Sequence, residues 1–261
     1  MLLTLAPNAV NALSRLGTTM QFYRQLGQIN ALTFDLDDTL YDNHPVIVRA
    51  EQAMFDWLAQ LLPASMVISR DNWQHLKQQL AAVDSCLIHD VSAWRYEALK
   101  INFMQLGWRL KDAELAARQG LALVLVERNK VDVPAETHRV LALLSAKVPL
   151  VGITNGNVDP QQIGLAHYFS AIYQAGRDGL AKPKADLFTC AIDHLNIPAE
   201  QILHVGDHLH TDVFGAKQQG LHACWYNDQQ RVLTSTTGNC LPDIEISALA
   251  ELLPLVGLTA E

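Results

Sequence analysis

The sequence predicts an α/β fold: a parallel sheet covered by helices on both faces and interrupted by one all-helical insertion. Three observations carry that expectation. Short aliphatic and β-branched runs alternate with helical patterns through the second half of the chain, as parallel strands buried on both faces require. Residues 44–133 break the alternation and offer helical patterns only. At 261 residues with 49% hydrophobic side chains, the chain can bury a full core and has neither a membrane nor a disordered composition.

Taken in order, Met1 to Ser14 leans apolar but is broken by Pro7, Asn8 and Asn11 and lacks the basic front of a signal peptide. Met20 opens a segment that runs straight into the first convincing strand, over 31–36, so residues 1–19 read as an N-terminal extension or as lying upstream of the true start. Helical patterns follow over 46–62, 70–83, 92–106 and 111–130. Because this interval comes directly after the first strand, residues 44–133 are expected to form a helical cap over the strand ends, with a core domain of residues 20–43 and 134–261. From 134 the alternation resumes, with helices over 134–146, 159–165, 184–195 and 211–219. Strands are expected between and after them over 148–154, 171–174, 202–205 and 222–226. Lys147 interrupts the most apolar region, so no stretch reaches the 18 or more residues of a membrane span.

Charge excludes one class of function. There are 27 acidic against 19 basic residues, a net charge of −8, and no cationic surface to hold a nucleic-acid backbone. Cys86, Cys190, Cys224 and Cys240 form no C-x-x-C pair, which points to free thiols in a reducing cytoplasm rather than to structural zinc or disulfides. No G-x-x-x-x-G-K-[ST] segment occurs, so P-loop nucleotide hydrolysis is excluded as well.

The chemistry-bearing segments stand at strand ends. Asp35-Leu36-Asp37-Asp38-Thr39 places three carboxylates after an apolar strand, a crowding of like charge that a bound cation would relieve. Residues i and i+2 share a face in extended chain, so Asp35 and Asp37 can converge on one reacting group, one attacking and one moving a proton. Thr154-Asn155-Gly156 can cradle phosphate oxygens with a hydroxyl and loosened backbone N–H groups. Lys182-Pro183 supplies a fixed cation, and Gly206-Asp207-His208-Leu209-His210-Thr211-Asp212 adds two carboxylates suited to a hard ion such as Mg²⁺. Singly, Thr154 reads as a turn residue and Lys182 as a solvated surface lysine; the order and placement of the segments at or after successive strand ends make the signal.

With those four segments in that order, from about residue 20 to 226, the chain resembles the haloacid dehalogenase (HAD) superfamily. The resemblance implies a Rossmann-like parallel-sheet core with an inserted helical cap of the C1 type. It also implies roles: Asp35 as nucleophile, Asp37 as general acid/base, and Thr154, Asn155 and Lys182 as phosphate-binding residues. Mg²⁺ would be held by Asp35, Asp207 and the backbone carbonyl of Asp37, with Asp212 orienting Lys182 or the metal's waters. The segment from Phe22 to Asn43, together with HVGDHLHTDV and ACW, resembles especially a group of bacterial phosphatases. That group is associated with flavin mononucleotide and the phosphorylated ribitylamino-uracil intermediate of riboflavin synthesis. A cytoplasmic, Mg²⁺-dependent phosphomonoesterase is therefore expected, with a small phosphorylated metabolite as its partner and neither nucleic acid nor membrane. A sugar phosphatase or phosphomutase of the same superfamily is the near alternative. A phospho-accepting receiver module is the distant one, and it has no room for a cap of roughly ninety residues.

Four of the five tryptophans, Trp57, Trp73, Trp94 and Trp108, fall in the helical interval. Helices of a small cap need such residues for packing. Trp94-Arg95-Tyr96 is the preferred substrate-facing trio because it joins a stacking surface to a cation. His204 reads as packed within the sheet, His208 and His210 as unsuited to a site of hard carboxylates, and His89-Asp90 as a loop or helix start.

Overall fold

A computed structural model describes residues 20–233 and 240–259; the N-terminal extension expected at residues 1–19 lies outside them. Seven strands form one sheet in the order β1-β7-β6-β5-β2-β3-β4. They are β1 (Gln21–Phe22), β2 (Ala31–Phe34), β3 (Leu150–Thr154), β4 (Ala171–Gln174), β5 (Ile202–Gly206), β6 (His222–Tyr226) and β7 (Ile244–Ile246). All neighbours pair in parallel except β1 and β7. Every residue of β2, β3 and β5 is buried, and burial on both faces is why these central strands read as unbroken apolar runs. In the register Phe34 lies opposite Gly152 on one side and Val205 on the other. β5 and β3 run one and two residues past the end of β2, so the ends of the three central strands share one rim.

Alternate residues of the strands feed two cores. Leu32 and Phe34 pack with Leu203 and Val205 against Val140, Leu141 and Leu144 of helix α5 (Ala135–Ser145) and against the C-terminal 3₁₀ helix Leu249–Val256. Ala31, Val151 and Ile153 pack on the opposite face against Leu187, Phe188 and Ala191 of α6 (Asp186–Leu195).

Between β2 and α5 run four α-helices: α1 (His44–Leu61), α2 (Arg70–Val83), α3 (Val91–Gln105) and α4 (Leu110–Arg128). They bury a core of their own, with Met54, Leu58, Trp73, Leu99, Phe103 and Val124. Asp90 starts α3 by accepting the Ser92 and Ala93 N–H groups at 3.0 and 2.9 Å, a helix-start role that its place before the apolar pattern implied. Most of the aromatics pack on one another, as in the edge-on Trp57–Phe103 pair with ring centroids 6.0 Å apart. No helix among the described residues is long and apolar enough to cross a membrane.

The structure departs from the expected elements in three places. Residues 159–165 form turns, because Asp159 takes the Gln161 N–H at 2.9 Å and the Gln162 side chain at 2.7 Å, a local alternative to helical bonding. The helix expected over 211–219 divides into a π-helical turn, Leu209–Phe214, and a short α7, Gly215–Gln218. At its start the His208 ring accepts the His210 and Thr211 N–H groups. Strands β1 and β7, of two and three residues, are too short to show a period and exist through their pairing at the sheet edge.

Candidate active site

The neighbouring ends of β5, β2 and β3 bring Asp207, Asp35 and Thr154 to one rim. Asp35 follows β2 directly and its N–H continues the ladder to Val205 O at 2.9 Å. Lys182, only 4% exposed, reaches in and donates from Nζ to Asp35 Oδ1 at 2.6 Å and to Asp212 Oδ1 at 2.7 Å. A reciprocal clamp fixes its backbone: Asn155 Oδ1 accepts Lys182 N–H at 2.7 Å, and Asn155 Nδ2 donates to Lys182 O at 3.0 Å. The Asn155 side chain is thus committed to the lysine loop, and the Thr154 hydroxyl accepts the Gly156 N–H at 2.9 Å. Gly206 closes β5 where a Cβ would overlap the Asp212 carboxyl group. Only glycine lets Asp212 come so close.

One ammonium cannot balance two buried carboxylates. Burial raises Asp212, but Lys182 and a hydrogen bond from His204 outweigh it and hold the group well below the usual carboxylate range. Asp35 goes the other way: burial drives it well above its usual value, and Asp212 and Asp37 add to the rise against the pull of Lys182. Asp207 is pushed up to about 6, first by burial and then by Asp212, with Arg231 opposing at 3.6 Å. Asp35 and Asp207 thus resist ionisation beside an ionised Asp212, a rim short of positive charge. Oxygens of Asp35, Asp207 and Asp212 lie within 4.8 Å of one another, a hard donor set of the type Mg²⁺ takes. Both Asp212 oxygens already accept hydrogen bonds, from Lys182 Nζ and from His208 N–H at 3.0 Å. Asp35 accepts Lys182 Nζ at Oδ1 and only a long 3.4 Å bond from Thr39 Oγ1 at Oδ2, so Asp35 Oδ2 and Asp207 are the less committed carboxylate oxygens for a cation.

Asp37 stands two residues beyond Asp35, over the Thr154–Gly156 turn. A Cβ on Gly156 would overlap its carboxylate. Its Oδ1 accepts the Tyr41 hydroxyl at 2.5 Å and an ion-pair hydrogen bond from Arg128 Nη2. Arg128, 2% exposed, is the last residue of α4, so the helical insertion itself supplies a group to the site. Thr39 Oγ1 links two carboxylate loops by accepting Asp207 N–H at 3.1 Å. Sequence reasoning missed Arg128, Tyr41 and Arg231. Tyr41 lies close enough to the aspartates to have been noticed, whereas Arg128 reads in sequence as one basic residue at a helix end.

Of the aromatic trio, Trp94 donates from its indole N–H to Lys77 O at 2.8 Å and carries Lys77 Nζ over its ring at 4.1 Å. Tyr96 packs against the core of the insertion. Arg95 is held below its ordinary value by burial, with Arg128 adding to the effect and Glu51 opposing it. The structure thus gives Trp94 and Tyr96 partners within the insertion and sets Arg95 in the field of the site. His204 lies inside the sheet, bonded to Thr33 Oγ1 at 2.8 Å.

The family model of the haloacid dehalogenase-like hydrolases matches residues 29–220. The chain is 41% identical over 238 residues to the 5-amino-6-(5-phospho-D-ribitylamino)uracil phosphatase YigB of Escherichia coli K12, covering 91% of this chain and 100% of that one. A phosphoglycolate phosphatase of Neisseria gonorrhoeae is 32% identical over 86% of this chain and 92% of its own. Among solved structures, one described as a 2-haloacid dehalogenase from Pseudomonas syringae superposes with a TM-score of 0.82 at 35% identity, covering 88% of this chain and 98% of that one.

Proposed function

The chain belongs to the haloacid dehalogenase-like hydrolases, and from that premise we propose a Mg²⁺-dependent phosphomonoesterase that works through an aspartyl-phosphate on a phosphorylated ribityl compound. That it is a phosphatase follows from the family and from its identity to YigB. The compound in that relative's name, 5-amino-6-(5-phospho-D-ribitylamino)uracil, is the first substrate, and flavin mononucleotide, which ends in the same ribityl phosphate, is the second. The observation that carries the chemistry is Lys182 Nζ held between Asp35 and Asp212, with Asp37 two residues from the nucleophile. Asp37 also favours phosphate over halide chemistry, since a departing alkoxide needs a proton and a departing halide does not. We assign residues 44–133 to the cap, 20–43 and 134–261 to the core, and the protein to the cytoplasm.

In this reading Lys182 and the Thr154 hydroxyl hold phosphoryl oxygens while the Asp35 carboxylate attacks phosphorus in line, breaking the bond to the leaving oxygen. Asp37 gives that oxygen its proton. It then takes one from the water that attacks the aspartyl-phosphate, so inorganic phosphate leaves and Asp35 is restored. A Mg²⁺ ion, held by Asp35, Asp207 and the Asp37 backbone carbonyl, would neutralise charge between two anions that otherwise repel.

The test is phosphate release by purified protein with Mg²⁺ across a panel of phosphorylated metabolites that includes both ribityl compounds. Turnover of ribityl phosphates ahead of short acids and sugar phosphates is expected; release of halide from a haloacid without any phosphatase activity would overturn the reading.

A further inference from the structure

Arg128 is buried at the rim with only part of its hydrogen-bonding capacity used. Nη2 donates to Asp37 Oδ1, whereas Nη1 is buried and has no partner among the described residues. A guanidinium is a rigid planar fork of five N–H donors that does not lose its charge. A dry donor of this kind is costly to leave without an acceptor.

The surroundings say what the missing acceptor is. The nearby carboxylates do not provide it: Asp37 Oδ1 serves Nη2 and the Tyr41 hydroxyl, Asp37 Oδ2 lies over Gly156 and makes no bond to Nη1, and neighbouring Glu127 is engaged by Lys130 and Arg49. The fork lies against the Thr154–Gly156 turn, with Nη2 3.1 Å from where a Cβ on Gly156 would sit. Arg95 adds positive charge on the insertion side. An oxygen-rich ligand is what such a place attracts. Lys182 and Thr154 stand on the core side, where phosphoryl oxygens are to be held; Arg128 arrives from the insertion, bound to the residue that serves the leaving group.

We propose that Arg128 is a substrate-contacting residue: Nη2 holds Asp37 in position, and Nη1 donates to a leaving-group oxygen close to the phosphoester. The inference rests on the phosphatase reading and deepens it. Polyol phosphates, whose hydroxyls flank the ester, meet this requirement, and a simple alkyl phosphate without further oxygens does not. The helical insertion would then select substrates through a hydrogen bond delivered by the last residue of α4, independent of any aromatic stacking.

The experiment compares kcat and KM by phosphate release for flavin mononucleotide and pentyl phosphate, whose alkoxides need the Asp37 proton equally, in wild type, Arg128→Met, Arg128→Lys and Arg49→Met. Arg49 braces the end of the same helix, donating to Glu127 O at 3.1 Å and Lys130 O at 2.5 Å, and touches no group of the site. Arg128→Met is expected to lose about tenfold more kcat/KM on flavin mononucleotide than on pentyl phosphate, the scale of one lost hydrogen bond to substrate. Added guanidinium ion at low millimolar concentration should restore part of the flavin mononucleotide activity. Arg128→Lys, which keeps the charge without the fork, should retain folding and show the same substrate bias in weaker form. Equal losses on both substrates, no loss, or the same bias in Arg49→Met would overturn the proposal and leave Arg128 a strut between insertion and sheet. Absence of phosphate release by wild type would instead overturn the phosphatase reading.

Discussion

Lys182 illustrates how much of this site is electrostatic: the single buried ammonium secures Asp212 and leaves Asp35 and Asp207 under-compensated. Replacing Asp35 with asparagine removes the nucleophile, since an amide attacks phosphorus far more poorly than a carboxylate. Turnover and radiolabelled phosphoenzyme should both vanish in that variant, and substantial residual activity would take Asp35 out of the role. Asp37→Asn should depend on the leaving group. Alkyl phosphates, which need the proton, are expected to slow by about a hundredfold or more, and an activated aryl phosphate much less in the first step. The charge deficit also predicts that chelation stops activity and Mg²⁺ restores it, while Ca²⁺ restores little because it takes more ligands in a looser geometry. Full activity in excess chelator would refute the metal requirement.

At the scale of the element, α3 shows a cap and a ring with separable tasks. Asp90 accepts two of the unpaired N–H groups at its start, so Asp90→Ala should cost about 1 kcal/mol, read as a lower urea midpoint with an unchanged slope. Trp94 is tied to α2 through its bond to Lys77 O and the Lys77 ammonium over its ring. Trp94→Ala should therefore lower the melting temperature and reduce kcat/KM for flavin mononucleotide and a small aryl phosphate by similar factors. A loss confined to flavin mononucleotide, with the melting temperature unchanged, would place the ring on the substrate instead.

Across the whole molecule, Asp243 holds the far edge of the sheet. Its carboxylate accepts Lys217 Nζ at 2.6 Å and Ala223 N–H at 2.9 Å, and its carbonyl accepts Tyr23 and Arg24 N–H groups. Burial raises this carboxyl, but the bonds from His222, Lys217 and Ala223 win and bring it down to about 2 from the ordinary 3.8. A depressed acid stabilises the fold above its unfolded value, so the contribution, about 2 kcal/mol, is complete near neutral pH and disappears as pH falls through about 2. Urea unfolding of wild type and Asp243→Asn should accordingly differ at pH 7 and converge toward pH 2. A gap that stayed constant with pH would assign the effect to packing. The edge matters to function only indirectly, because the site lies across β5, β2 and β3 at the centre of the sheet.

The sequence by itself determined the fold class, the central strands and the segments at their ends. Burial on both faces writes itself into unbroken apolar runs, and the carboxylates and threonine stand at or soon after their ends, with Lys182 in the loop after β4, so local pattern and chemistry coincide. A break in the strand-helix alternation marked residues 44–133 as helical, since a helix that buries a stripe must repeat it. Only the tertiary structure decided which side chains meet. Arg128 and Asp37 stand 91 residues apart, and the periodicity of α4 records that position 128 is covered without recording by what. The same limit applies to Trp94, whose aromatic character suits a ligand and a neighbouring helix equally well, and to β1 and β7, which are too short to carry a period and form by pairing. Asp159 marks the opposite failure, a helical pattern undone by one side chain that captures its own backbone. Periodicity encodes how deeply a residue is buried; the identity of its partner is fixed by the folded chain.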